Sequence, residues 1–88
     1  TALMKYLRAN IRYPEAAQKA GIEGRVIVSF IVEPNGSVSN VEIVRGVDSD
    51  LDQEALRVVR QMPKWKPGKQ DGSTVRVKFH LPIKFILE

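Results

Sequence analysis

The sequence predicts an α+β domain, a two-layer sandwich in which a three-stranded antiparallel sheet carries helices packed on one face. Apolar and polar residues alternate along stretches 24–32 and 74–85, which is the period of a strand that buries one side. Stretches 3–11 and 51–62 instead repeat their apolar residues at helical spacing. Because each strand has one strongly apolar side, the helices are expected to cover that side.

Size and composition indicate one soluble domain spanning residues 1–88. Its 88 residues are 43% hydrophobic and 27% charged, and no apolar run approaches the roughly 20 residues that cross a bilayer. The first residue is Thr and no signal-peptide pattern precedes the first helix, so we interpret the chain as a fragment of a longer protein whose anchor lies upstream.

Charge and cysteine usage limit the chemistry without selecting a partner. Fourteen basic against ten acidic residues give a net charge of +4, which fits nucleic acid, an anionic membrane surface or an acidic protein. The absence of cysteine excludes disulfides, thiolate catalysis and cysteine-ligated zinc, and it leaves the cellular compartment open.

Two short helices are predicted at the N-terminus. The first runs from Ala2 to about Ala9 on the repeat of Leu3, Met4, Leu7 and Ile11. Pro14 suits the first turn of the second helix, and Gly21 offers a left-handed stop after about two turns.

A β-hairpin follows. Its first strand places one set of apolar residues on a single face: Val26, Val28, Phe30 and Val32. The turn chemistry of 33–36 leads into a second strand, 37–45, in which Val38 is three positions from Val41 instead of two. One extra residue near Ser39 or Asn40 restores the inward pattern, so we expect a bulge there.

The main helix is predicted to open at 48–52, where Ser49 or Asp50 caps it, and to end at Met62 because Pro63 disfavours helical geometry before it. Its inward stripe comprises Leu51, Ala55, Val58, Val59 and Met62. Trp65 is assigned to the core, and turns are expected at 67–68 and 71–72.

The last strand, 74–85, is the longest alternating stretch. Its inward residues are Val75, Val77, Phe79, Leu81, Ile83 and Phe85. Pro82 lies inside it and has no backbone donor, which places the strand at the border of the sheet. A long strand with a free border can recruit another chain.

No residue pattern predicts a catalytic, metal or cofactor site. His80 is the single histidine and falls on the outward face, and Asp48 to Asp52 lack the glycine and distal acid of a calcium loop. The outward cations Arg76, Lys78 and Lys84 are interpreted as a solvated face, with partner recognition as the alternative. We therefore do not expect an enzyme.

Six motifs follow one another in order over about residues 3–87: Tyr13-Pro14, Gly21 to Val26, Pro34 to Val38, Leu51-Asp52 with Ala55, Trp65 to Gly68, and Leu81 to Ile83. Together they resemble the C-terminal domain of TonB-type energy transducers. The sequences of segments 62–69 and 3–7 are most similar to those of transducers of the Bacteroides type.

The resemblance implies a periplasmic domain on an inner-membrane anchor, coupled to a proton-driven motor complex. In this family the domain binds a short extended segment of an outer-membrane transporter, the TonB box, by pairing it with the last strand. Pulling then remodels the plug of the transporter and drives nutrient uptake. The resemblance implies no enzyme activity and no cofactor.

Carried onto this chain, the resemblance implies a partner-binding strand and one contact ahead of the Tyr-Pro motif. The strand residues are Ser73, Thr74, Val75, Arg76, Val77, Lys78, Phe79 and His80. The additional contact is Asn10, where the family pattern has Gln. Main-chain pairing predicts weak, roughly micromolar binding.

Two other functions compete with this one. A nucleic-acid-binding module is favoured by the pI of about 9.7, but it predicts outward aromatic residues on the sheet, which the sequence lacks. A related adaptor domain of a membrane-anchored sensor or peptidase would share the fold. The sequence also leaves open the transporter, the nutrient and whether the domain forms a homodimer through its last strand.

Overall fold

A computed structural model describes residues 2–66 and 68–87. Three helices and five strands follow one another in the order α1, α2, β1, β2, α3, β3, β4, β5. Their bounds are Ala2–Asn10 (α1), Glu15–Ala20 (α2), Gly24–Val32 (β1), Val38–Arg45 (β2), Ser49–Arg60 (α3), Gly68–Gln70 (β3), Ser73–Val75 (β4) and Val77–Phe85 (β5). No helix in the described ranges is long and apolar enough to cross a membrane.

The main sheet has three antiparallel strands in the order β2-β1-β5, which confirms the predicted α+β class. β1 is central and pairs with β5 without interruption from Gly24 opposite Phe85 to Val32 opposite Val77. α3 packs over β2 and β1.

The prediction of one unbroken strand over 74–85 is wrong. Arg76 interrupts it, and Ser73–Val75 forms a separate hairpin with Gly68–Gln70. Asp71 and Gly72, with φ of 52° and 80°, form the predicted turn of this hairpin, since two successive left-handed residues match the twist of paired strands. Apolar and polar residues alternate across Arg76 without a change of phase. The alternation shows to which side each side chain points, and it does not show with which strand the backbone pairs. The turn expected at 67–68 involves Pro67, which lies outside the described residues.

The core lies between β1 and α3. All four predicted inward residues of β1 are buried, and so are Leu51, Ala55, Val58 and Val59 of the predicted α3 stripe. The last strand contributes less than its pattern predicts: Ile83 and Phe85 are buried, but Phe79 is 38% exposed. An edge strand has a neighbour on one side only, so inward side chains near its unsupported end remain accessible.

Two bulges bend β2. Between the pairs Ser29–Glu42 and Ile31–Ser39, β2 has one residue more than β1, and Asn40 has a φ of 48°. This confirms the predicted bulge. A second irregularity, which the sequence does not predict, leaves Val44 as the extra residue between Ile43 and Arg45.

The helix ends follow local hydrogen bonding. Asp48, not the predicted Ser49 or Asp50, caps α3, and its carboxylate accepts from the Asp50 N–H at 3.0 Å. The backbone at Asp48 is still extended, so its side chain is the one that reaches the free amides of the first turn. α3 ends at Arg60, before Pro63 as predicted, and Gly21 adopts the expected left-handed conformation with a φ of 68°.

Candidate partner-binding edge

β5 lies at the border of the sheet, as Pro82 predicts. One side of β5 pairs with β1, and within residues 2–66 and 68–87 no strand pairs with the other side. Unpaired N–H and C=O groups along such an edge can form a ladder with an additional strand.

Pro82 also indicates which residues of β5 direct their backbone groups outward. In an antiparallel pair, opposite residues alternate between exchanging two hydrogen bonds and exchanging none. Pro82 is opposite Ile27 and has no N–H, so this pair is of the second kind. By alternation, Lys78 and His80 turn their N–H and C=O groups toward the free edge, whereas Phe79 and Leu81 bond to β1.

The structure separates the predicted partner-binding residues into three groups. Val77, Lys78, Phe79 and His80 lie on the free edge of β5, and Arg76 is at the junction. Ser73–Val75 belongs to the β3–β4 hairpin. Of the predicted strand residues, only 77–80 therefore lie on β5 itself.

Asn10, the remaining predicted contact, ends α1. Its side-chain amide donates to the Tyr6 carbonyl at 2.9 Å, and its own carbonyl accepts from Arg57 Nη2 at 2.8 Å. A second link in the same place joins the Tyr6 hydroxyl to the Val58 carbonyl at 2.8 Å. These bonds attach α1 to α3, and none of them brings Asn10 to β5.

Arg76 is held by an ion pair at the start of β5. Its Nε lies 2.8 Å from Glu33 Oε1 and its Nη2 lies 3.3 Å from Glu33 Oε2, while the Ser39 hydroxyl donates to the same carboxylate. The hydrogen bonds from Arg76, and then from Ser39, lower the pKa of Glu33, and the same ion pair raises the pKa of Arg76. The ion pair with Glu33 thus holds Arg76 between β4 and β5, and its guanidinium is not a free surface cation.

We expect Arg76→Gln to raise the pKa of Glu33 toward its ordinary value of 4.5, because the main group that stabilises the carboxylate is removed. A folded pKa below the unfolded one stabilises the fold above the unfolded value and loses that contribution as the pH falls through the folded value. NMR titration of the Glu33 carboxyl carbon measures the change. Lys78→Gln removes a nearby charge without touching the ion pair, so an equal pKa rise in both variants contradicts the assignment.

An aromatic cluster covers the helix side of this edge. Phe30 and Phe79 are direct cross-strand partners with ring centroids 5.9 Å apart, and the Trp65 ring lies 5.6 Å from Phe30 and 5.4 Å from Phe79. Trp65 is half-buried, which agrees in part with its assignment to the core. The sequence does not predict that Trp65 reaches the edge strand. The sequence indicates only that Phe30 and Phe79 are both inward residues of their strands, and the structure shows that these strands are neighbours.

On the opposite face of the sheet, β5 presents polar and basic residues beside the half-buried Ile27 and Ile31 of β1. His80 is exposed opposite Ser29, and Lys78 and Lys84 lie on the same side. Within the described ranges, no group of three or more histidine or acidic side chains converges as metal ligands would. The features that the structure brings together are a free strand edge, an aromatic cluster and surrounding cations.

This geometry defines an α+β domain whose three-stranded sheet has a free edge at β5, and comparison with known proteins places it in a family. A family model described as Gram-negative bacterial TonB protein C-terminal matches residues 9–87. The chain belongs to this TonB C-terminal family.

Individual relatives agree with that assignment. Protein TonB of Vibrio cholerae is 36% identical over 78 residues, which cover 88% of this chain and 32% of that protein. Protein TonB of Escherichia coli is 32% identical over 71 residues, which cover 80% and 30%. The chain therefore spans about a third of the length of the curated relatives that it matches.

Solved structures show the same fold. The solution structure of the Helicobacter pylori TonB C-terminal domain aligns with a TM-score of 0.73 at 29% identity, over 97% of this chain and 77% of that one. The Pseudomonas aeruginosa TonB C-terminal domain aligns with a TM-score of 0.66 at 27% identity, over 88% and 78%.

Proposed function

We propose that this chain is the transporter-binding domain of a TonB energy transducer and that it captures the TonB box of outer-membrane transporters by strand addition to β5. The observation that carries the proposal is the free edge of β5 in a domain of the TonB C-terminal family. Strand addition uses the main-chain groups of the edge for affinity and the flanking side chains for selectivity.

The edge supports a weak complex. Lys78 and His80 each offer one donor and one acceptor, and Pro82 adds one acceptor, so about five bonds are available at about 0.5–1.5 kcal/mol each. Their sum is about 3–7 kcal/mol, whereas micromolar affinity needs about 8 kcal/mol. Side-chain contacts must supply the remainder. A reversible complex of this strength suits a domain that binds and releases transporters repeatedly.

The role of the whole protein belongs to the same proposal. We infer a periplasmic location for the domain. We also infer an inner-membrane anchor and a proton-driven motor complex, to which sequence outside this chain would connect the domain. Pulling on the captured box would remodel the transporter plug. The domain itself performs no chemistry in this scheme and needs no cofactor. A second copy of the domain could also pair with the same edge, so a homodimer would compete with capture.

The proposal is tested by titrating the ¹⁵N-labelled domain with peptides from the periplasmic N-termini of candidate transporters. We expect amide shifts concentrated on Val77 to Leu81 and dissociation constants in the micromolar range. Shifts confined to α2 and α3, or binding to an oligonucleotide in place of every peptide, contradict the proposal.

A backbone variant makes the test specific. Lys78→Pro removes one edge-facing N–H that no strand of the domain uses, just as Pro82 lacks one, so the fold is expected to survive. We expect it to weaken peptide binding about tenfold or more, since a bond is lost and the peptide's acceptor is left unpaired. The matched control Lys78→Thr removes the same charge but keeps the N–H. If the two variants bind peptide equally well, main-chain pairing at this position is wrong.

A further inference from the structure

We propose that the free edge carries a side-chain subsite, formed by Phe79 and Trp65, that receives one bulky apolar side chain of the captured segment. This inference rests on the proposed function and adds a sequence requirement to it. Capture then depends on which residue of the partner lies opposite Phe79, and not only on main-chain bonds.

The first observation is the exposure of Phe79. It is on the same inward row as the buried Ile83 and Phe85, yet 38% of it remains exposed. β1 covers one flank of Phe79 through Phe30, and Trp65 stacks on it at an interplanar angle of 30°. The uncovered flank faces the side where an added strand would lie. An apolar group from that strand would complete the burial that the domain leaves unfinished.

The second observation is a groove that adjoins the same tryptophan. It has a volume of about 260 Å³ and is lined by Leu3, Tyr6, Met62, Pro63, Lys64, Trp65 and Lys66. Its walls are apolar except for the two lysines and the tyrosine hydroxyl, which is already bonded to Val58. Trp65 lines this groove and also stacks on Phe79, so the groove adjoins the aromatic cluster through the tryptophan.

Strand geometry fixes which partner residue enters. Neighbouring strands lie about 4.7–4.9 Å apart, and directly opposite side chains point to the same face with Cβ atoms about 4.5–5.5 Å apart. The residue opposite Phe79 must therefore point toward Trp65. Residues opposite Lys78 and His80 point to the other face, where the cations of β5 lie beside the half-buried Ile31 of β1. Residues opposite Val77 and Leu81 share this face with the residue opposite Phe79, but only Phe79 belongs to the aromatic cluster. We therefore expect the large apolar residue of the partner at the position opposite Phe79.

Trp65 supplies a direct readout because it is the single tryptophan of the chain. A peptide that binds in this way covers Trp65, so we expect a blue shift of its emission and reduced quenching by acrylamide. Replacing the peptide residues one at a time by alanine should identify one position whose loss weakens binding roughly tenfold and abolishes the emission shift. A peptide that saturates the amide shifts of Lys78 and His80 without altering Trp65 emission would overturn the subsite.

Variants of the domain separate this inference from the proposed function. Phe79→Ala is expected to weaken the parent peptide about five- to tenfold and to make the identified peptide position insensitive to alanine. Val77→Ala shortens a half-buried inward residue outside the aromatic cluster and should leave that sensitivity intact. Phe79→Leu retains bulk and serves if the alanine variant does not fold. If peptides still shift the β5 amides but Phe79→Ala keeps the peptide sensitivity of the parent, only the subsite is wrong. If no peptide shifts β5, the proposed function is wrong.

Discussion

Substitution of Gly36 by alanine is expected to destabilise the domain by about 2–4 kcal/mol. Gly36 is buried with a φ of +86°, and a Cβ there would lie 2.2 Å from the Trp65 carbonyl oxygen. The Trp65 N–H also donates to the Gly36 carbonyl at 2.7 Å. A methyl group therefore strains the turn after β1 and displaces the segment that carries the aromatic cluster. Urea denaturation measures the loss of unfolding free energy.

Gly21→Ala is the matched control. Gly21 has a similar φ of +68°, but no atom lies within 4 Å of the position that its Cβ would take. Alanine there incurs only the left-handed backbone penalty, about 1–2 kcal/mol. Equal losses in the two variants would mean that the contact with Trp65 is not what fixes glycine at position 36.

Phe30→Ala is expected to cost about 3–5 kcal/mol, a large part of the stability of a domain of this size. Phe30 lies on β1, the central strand, is 1% exposed and contacts both Trp65 and Phe79. Its removal leaves a cavity at the position where the helix layer, the central strand and the edge strand meet. Chemical denaturation gives the magnitude, and Trp65 emission should shift to the red in the folded variant.

Phe79→Ala provides the comparison within the same cluster. Since Phe79 is partly exposed, less apolar area is lost and the free energy of unfolding should fall by clearly less than for Phe30→Ala. A loss from Phe79→Ala as large as that from Phe30→Ala would show that the edge strand supports the core, and it would argue against Phe79 as a surface for a partner.

The central part of the fold could be predicted from the sequence because it depends on local rules. The alternation of β1 gives its buried face, Gly21 its left-handed stop, and the changed phase of β2 the bulge at Asn40. Each depends on residues close together in the chain. The second bulge, at Val44, gives no comparable break in the alternation of the sequence. Val44 directly follows the apolar Ile43 and precedes the charged Arg45, so the residue types do not show which of them is the extra one.

Pairing between distant segments could not be predicted in this way. The bond of Arg76 to Glu33 joins residues 43 positions apart. The pairing of 73–75 with 68–70 is local, across the predicted turn at 71–72, but the alternation that continues into β5 conceals where β4 ends. Asn10 was carried over from the family pattern, and its bonds in this structure stay within the helical layer. For the binding edge, Pro82 gave the border correctly, whereas the contact of Trp65 with Phe79 required the folded chain.

The irregular shape of β2 determines how many partners the sheet can hold. Its two bulges, at Asn40 and Val44, and its charged residues Glu42 and Arg45 break the regular ladder along the outer side of β2. Within the three-stranded sheet of the described residues, only the β5 side presents a regular row, so this sheet offers one position for an added strand. Two copies that paired through this row would close into a symmetric dimer and leave no regular edge of that sheet open for further growth.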